Sequence, residues 1–264
     1  MTSLRESVKS RLTEQQRQRL RRAIDFVRSA YVLPLQVIRR SSIERRLPSL
    51  PGGRGWRTVI PPSLHLSIQA GTSGYRYRDV PMLKHPVEIA LYMRLIGETK
   101  PGTIFEIGSY SGGAAAWMGD LLHLFGVDGR VISVDVNVPC PSYAPSNVVF
   151  LHGDANDLGR SLTPDLLAAA ARPWLIIEDS SHQYTTTLAA LRFFDPMLRS
   201  GEYIVVEDGN ITELGHDADY AGGPARAITE FLQDRGSSYV IDADYCDHFG
   251  SNVTGNPNGY LRRK

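Results

Sequence analysis

The chain of 264 residues is 42% hydrophobic and 22% charged with a formal net charge of +1, enough apolar content for one sizeable α/β core with an appendage. Two cysteines, Cys140 and Cys246, exclude a disulfide framework and lack the Cys-x-x-Cys spacing of a zinc site; they read as buried bystanders in a reducing compartment. The opening Met1-Thr2-Ser3-Leu4-Arg5-Glu6 has no signal-peptide core and no uninterrupted apolar stretch approaches a membrane span, so a cytoplasmic location is expected.

The small net charge hides an uneven distribution. Residues 1–57 hold 14 Lys and Arg against 4 Asp and Glu, a net of +10, and the remainder holds 15 against 24, a net of −9. Leu20, Ile24, Val27 and Tyr31 recur at helical steps among Arg17, Arg19, Arg21, Arg22 and Arg28, the pattern of a basic amphipathic helix. Such a helix either docks on the acidic remainder or a second subunit, which favours self-association, or makes peripheral contact with an anionic membrane surface. No nucleic-acid partner is expected, because no recognised binding module accompanies the charge. A Pro/Gly-rich stretch, Leu47 to Gly53, closes this segment. The division expected is a basic helical extension over residues 1–60 and a catalytic domain over residues 61–264.

From Pro86 onward helices and strands alternate. Spacing predicts a helix over Val87 to Ile96, a buried strand over Thr103 to Ile107, a small-residue helix over Gly112 to Leu124, and strands over Val131 to Asp135 and Val148 to His152. Further strands follow over Trp174 to Glu178 and Tyr203 to Glu207, with a helix over Thr185 to Leu198 between them. This alternation implies βαβ units, a mostly parallel sheet, and ligands bound along the edge that carries the strands' carboxyl ends.

Two strands end in paired acids, Glu178-Asp179 and Glu207-Asp208, with His182 three residues beyond the first pair. Carboxylates at neighbouring strand ends beside an imidazole suit a divalent metal with a base next to it. Phe105-Glu106-Ile107-Gly108-Ser109-Tyr110-Ser111-Gly112-Gly113 runs from strand through a glycine loop to a helix. Tyr110 stands where the dinucleotide pattern Gly-x-Gly-x-x-Gly needs its middle glycine, which argues against a pyrophosphate ligand. Asp135 ends the next strand, where it can accept ribose hydroxyls. Asp154, in His152-Gly153-Asp154-Ala155, ends the third and is within reach of an adenine amino group.

The order Glu106-x-Gly108, Asp135, Gly153-Asp154 resembles the class I S-adenosylmethionine-dependent methyltransferases. The stretches Gly108 to Gly113, Ile177-Glu178-Asp179-Ser180-Ser181-His182, Val206-Glu207-Asp208-Gly209 and Asn252 to Leu261 resemble, more narrowly, the cephalosporin hydroxylase family, which includes rhamnosyl and other sugar O-methyltransferases. The resemblance implies a Rossmann-like α/β fold with a mostly parallel sheet and a C-terminal antiparallel hairpin. It implies S-adenosylmethionine held by Glu106, Gly108, Ser109, Gly112, Asp135, Asp154 and Ala155, and Mg²⁺ held by Asp179, Glu207 and Asp208. The acceptor would be a saccharide or glycoside hydroxyl; the alternatives are a partner in antibiotic hydroxylation or methoxylation, and a non-catalytic scaffold.

Methylating an alcohol requires a proton acceptor, and His182 is the candidate base, with His248 in second rank. Glu178 points to the opposite side of its strand from Asp179 and is expected to pair with a basic residue inside the fold. Tyr75 to Lys84 resembles the family segment that covers the cofactor, with Met82 and Lys84 as candidate contacts. Asn256-Pro257-Asn258-Gly259 is expected to turn between the last two strands.

Overall fold

A computed structural model describes residues 50–264 apart from Thr212, Gly215 and Asp217; the expected basic helix lies outside the described residues. Seven strands form one sheet in the order β5-β4-β3-β6-β7-β9-β8, with β3 at Thr103–Ile107, β4 at Arg130–Asp135, β5 at Val148–His152, β6 at Trp174–Glu178, β7 at Tyr203–Val206, β8 at Tyr239–Ile241 and β9 at Tyr260–Arg263. Strands β3 to β7 pair in parallel, and β9 runs antiparallel to both β7 and β8. Every residue of β3, β6 and β7 is buried, as near-continuous apolar runs require when helices cover both faces of a parallel sheet. A separate two-stranded ribbon, β1 at Arg76–Tyr77 and β2 at Val80–Pro81, precedes the sheet.

The helices are α1 (Pro62–Thr72), α2 (Pro86–Thr99), α3 (Gly113–Leu124), α4 (Pro164–Ala169), α5 (Tyr184–Phe194), α6 (Gly223–Arg235) and α7 (Ala243–Cys246). Helix α2 begins on His85, whose ring accepts from the Val87 N–H, and ends on Lys100 in the left-handed conformation, both recognised ways of satisfying end groups. Its Leu91, Tyr92, Leu95 and Ile96 are buried, one helical stripe turned to the core. Helix α3 packs on α2, and α5 packs on α6. Strand order runs outward from β3 in one direction through β4 and β5, and in the other through β6 and β7. Right-handed crossovers then place the helices of the two halves on opposite faces and open a crevice at the carboxyl ends of β3 and β6.

The expected antiparallel pair is β8 with β9, but residues 242–259, including α7, connect them in place of a tight turn. The Asn256-to-Gly259 turn only delivers the chain into β9, with the Gly259 N–H donating to the Asn256 carbonyl at 2.9 Å. The rest of the connection is used for tertiary bonds. Arg54 donates to both Asp247 oxygens at 2.8 and 2.9 Å and to Asn258 Oδ1 at 2.9 Å. Leu50 and Trp56 join the hydrophobic core, so residues 50–60, counted with the extension by composition, pack on the catalytic domain. Cys246 is buried as expected. Cys140 is exposed, because it sits in the loop after β4 and no element covers it. Among the described residues no helix is long and apolar enough to cross a membrane.

Candidate active site

At the end of β3 the chain turns through Gly108 at φ 105°. A Cβ there would collide with the Asp179 carbonyl oxygen, so glycine alone lets the loops after β3 and β6 approach. Asp135 Oδ2 accepts from the N–H groups of Ser109 at 2.8 Å and Tyr110 at 3.0 Å, and its Oδ1 accepts from Asn137 N–H at 2.8 Å. The acid therefore fixes the glycine loop as well as bordering it. Asp154 Oδ1 accepts from the Asn156 N–H at 2.8 Å. Gly108, Asp135, Asp154 and Ala155 line a cavity of about 270 Å³ together with Ile107 and Asp179.

Three residues expected to bind the cofactor stand behind this cavity and do not line it. Ser109 Oγ pairs with Ser133 Oγ at 2.6 Å, and Gly112 is the left-handed N-cap of α3, facing Phe150. Glu106 is fully buried; Ser133 Oγ donates to its Oε2, and its Oε1 has no hydrogen-bond partner among the described residues. Burial pushes the Glu106 carboxyl up to about 8, with Lys84 and Ser133 pulling the other way. The folded state thus holds this proton more tightly than the unfolded chain does, and the associated stability is lost as pH rises from the ordinary glutamate range through about 8. Glu106→Gln should remove that loss. Urea unfolding at pH 6 and pH 9 should show the variant gaining on the wild-type protein at the higher pH; an unchanged difference would refute the assignment.

The acids at the ends of β6 and β7 surround a lysine. Lys84 Nζ lies 2.5 Å from both Asp179 Oδ2 and Glu207 Oε1, and the Tyr92 hydroxyl donates to the same Glu207 oxygen at 2.6 Å. Lys84 is only 2% exposed. Burial disfavours its charge, but Asp179, Glu207 and Glu106 outweigh that and hold its pKa well above the usual lysine value. Burial pushes Glu207 up to about 7, with Asp179 adding to the rise and Lys84 opposing it. Asp179 and Asp208 are raised as well, burial again the largest cause.

His182 and Asp208 have φ of 57° and 55°, a left-handed conformation uncommon outside glycine and costing about 1 kcal/mol or more each. These backbones bring His182 Nε2 to 3.3 Å from Asp208 Oδ2. Asp179, His182 and Asp208 each offer an atom within 4.8 Å of the others, an arrangement able to hold a metal ion. Glu207 stands outside this cluster, engaged by Lys84 and Tyr92. Burial lowers the His182 pKa, but the carboxylates of Asp208, Asp179, Glu178 and Glu207 prevail and raise it. The Asp208 N–H donates to Asn256 Oδ1 at 3.0 Å, and Glu88 holds the neighbouring turn by accepting from Thr254 Oγ1 and the Gly255 N–H. The C-terminal motif thereby anchors the base of the site.

Among the described residues Glu178 has no basic hydrogen-bond or ion-pair partner. Its oxygens accept from the hydroxyls of Ser180 and Thr187, so it shapes the loop that carries His182 by tying it to α5. Met82 packs in the core and borders neither cavity. His248 lies near Arg94, its Nδ1 3.2 Å from the guanidinium, away from both cavities. Lys84, expected as a cofactor or substrate contact, borders neither cavity and stands among the acids instead, a place with no local signal because Asp179 and Glu207 lie 95 and 123 residues away in the chain.

A second cavity, of about 320 Å³, lies on the other side of the acid cluster. His182, Asp208 and Asn210 face it from the loops after β6 and β7, and His65, Gln69 and Thr72 face it from α1. The cluster is thus a partition, with Asp179 bordering the first cavity and His182 and Asp208 bordering the second.

The family model for rhamnosyl O-methyltransferase/CmcI matches residues 71–264. The chain belongs to the rhamnosyl O-methyltransferase/CmcI family. A rhamnosyl O-methyltransferase of Mycobacterium leprae (strain TN) is 28% identical over 199 residues, 71% of this chain and 82% of the relative. One of Mycobacterium tuberculosis (strain H37Rv) is 28% identical over 184 residues, 65% of this chain and 71% of the relative. Among solved structures, apo CmcI aligns with a TM-score of 0.58 at 28% identity, covering 72% of this chain and 76% of CmcI. CmcI with Mg and SAM aligns with a TM-score of 0.56 at 28% identity, covering 73% and 77%. Membership in the rhamnosyl O-methyltransferase/CmcI family makes the protein an S-adenosylmethionine-dependent O-methyltransferase.

Proposed function

We propose that the protein methylates a hydroxyl of a sugar unit with the help of Mg²⁺, the cofactor occupying the cavity beside Gly108 and the acceptor the cavity beside His182. The observation that carries this reading is the partition of Asp179, His182 and Asp208 between two cavities. A methyl donor on one side and a hydroxyl on the other would meet across it, and positioning accounts for much of the acceleration in such transfers. The rhamnosyl O-methyltransferases to which the chain is similar support a sugar acceptor.

The donor set fits the metal. Asp179 and Asp208 would supply the carboxylate oxygens that a hard cation prefers, with Glu207 beside them on the Lys84 ammonium that it shares with Asp179. When bound, the cofactor supplies the methyl group and Mg²⁺ supplies positive charge that favours an ionised acceptor hydroxyl. His182 Nε2, on the side of Asp208, is the atom that takes the hydroxyl proton. Lys84 and Tyr92 hold Glu207 in place and balance the buried negative charge.

Calorimetry with S-adenosylmethionine, with and without Mg²⁺, tests the reading, followed by methyl transfer to glycosides read out by mass. The cofactor should bind, and Mg²⁺ should raise the melting temperature of the wild-type protein but not of Asp179→Asn. An equal Mg²⁺ shift in the variant would rule out the metal assignment; absence of methyl transfer to any glycoside would rule out the acceptor class.

A further inference from the structure

The second cavity has a wall that the family match does not explain. Helix α1 spans Pro62–Thr72, whereas the family model begins at residue 71, so most of the helix precedes the part of the chain shared across the family. Its inward side supplies His65, Gln69 and Thr72 to the cavity. The helix is seated by specific bonds: Glu213 accepts from the Thr58 N–H at 2.8 Å and lies 3.8 Å from His65 Nε2, and Val59 N–H donates to the Ser251 carbonyl at 3.2 Å. Ile60 is buried beside it.

The cavity also contains unspent hydrogen-bonding capacity. Thr72 and His85 both line this cavity, and their Oγ1 and Nε2 atoms, just beneath its surface, have no hydrogen-bond partner among the described residues. Buried polar groups are nearly always paired, and an unpaired one costs roughly 1–3 kcal/mol. Two on the wall of one cavity point to a ligand that brings several hydroxyls. Gln69, one helical turn before Thr72 and also lining the cavity, adds an amide that both donates and accepts. At about 320 Å³ the cavity lies at the small end of ligand sites, the size for one sugar ring with the rest of a glycoside extending outward.

We propose that α1 is the acceptor-selecting wall, and that Gln69 and Thr72 choose the sugar by hydrogen-bonding hydroxyls other than the one that is methylated. This rests on the sugar-acceptor reading above. A wall that lies mostly before the shared family core, as Gln69 does and Thr72 does not, can vary without altering the transfer machinery, and a polar wall discriminates strongly against a sugar lacking the matching hydroxyl.

The probes are methyl α-L-rhamnopyranoside and its monodeoxy analogues, titrated by calorimetry into the full chain loaded with S-adenosylhomocysteine. Gln69→Ala and Thr72→Val should each weaken binding of the rhamnoside about tenfold, the loss of one hydrogen bond, with S-adenosylhomocysteine affinity unchanged. Each variant should lose almost nothing against the one analogue that lacks its partner hydroxyl, a coupling that a general structural defect does not produce. Uniform weakening across all analogues, or no weakening, overturns the assignment of α1 while leaving the acceptor class intact. If the loaded wild-type protein binds S-adenosylhomocysteine but none of the glycosides, the acceptor class itself fails, and this inference with it.

Discussion

Lys84→Met should destabilise the metal-free protein by about 3–5 kcal/mol, the effect of removing one partner from a buried charge cluster. Asp179 and Glu207 both lean on this ammonium at 2.5 Å, and Lys84 is almost inaccessible to water. Without it two carboxylates at the ends of adjacent parallel strands face each other uncompensated. Proton uptake can relieve part of that repulsion, since Glu207 already sits at about 7 in the presence of the lysine, and loss of the cation moves it higher. The destabilisation should therefore grow between pH 6 and pH 8. Mg²⁺ should restore stability to the variant by a larger increment than it adds to the wild-type protein, because binding to the folded state alone stabilises it. Urea unfolding at both pH values, with and without Mg²⁺, measures all three effects. A wild-type unfolding midpoint in the metal-free variant would show that the lysine is not what balances the acids.

Loss of the base is the second large effect. His182→Ala and His182→Asn should each lower kcat by about 10²- to 10⁴-fold, the usual contribution of a positioned proton acceptor, with little change in cofactor affinity. Asparagine matters as the second variant because it tolerates the left-handed backbone at this position, φ 57°. A rate loss shared by both variants is then chemical and not conformational. The wild-type rate should fall on the acid side as the imidazole protonates, and the surrounding carboxylates place that limb above the ordinary histidine value. Saturating Mg²⁺ offsets those carboxylates and should shift the limb to lower pH. A variant that keeps the wild-type kcat and the same acid limb would assign the proton to another group.

The parallel core was legible because its signals are local. The strands expected over Thr103 to Ile107, Val148 to His152 and Trp174 to Glu178 match the observed bounds, and β4 and β7 differ by one residue at one end. Continuous burial wrote itself into β3, β6 and β7 as apolar runs, the last two carrying their acids at the ends, and β5 at the edge of the sheet was legible from its β-branched and aromatic residues without being buried. What escaped was set by contacts between distant segments. Helices α1 and α6 drew no prediction, and β8, expected only as one half of a C-terminal pair, drew no bounds, being three residues long and defined by its pairing with β9. The tight hairpin was expected from a turn sequence whose neighbours are instead engaged with Arg54, Glu88 and Asp208. The alternation of side chains along β6 correctly sent Glu178 away from Asp179, but only the structure shows hydroxyls where a basic partner was expected.

The place of β9 has a consequence for how the protein is made. The strand comes from residues 260–263 yet lies between β7 and β8. Synthesis from the N-terminus can therefore complete β3 to β7 while β7 still has one open edge. Unpaired edges recruit other strands, so a chain that has formed β3 to β7 carries an open strand edge next to Glu207 and Asp208 until residues 260–263 pair with β7. The sheet beside the acid cluster thus closes only when a segment more than fifty residues downstream of β7 docks between β7 and β8.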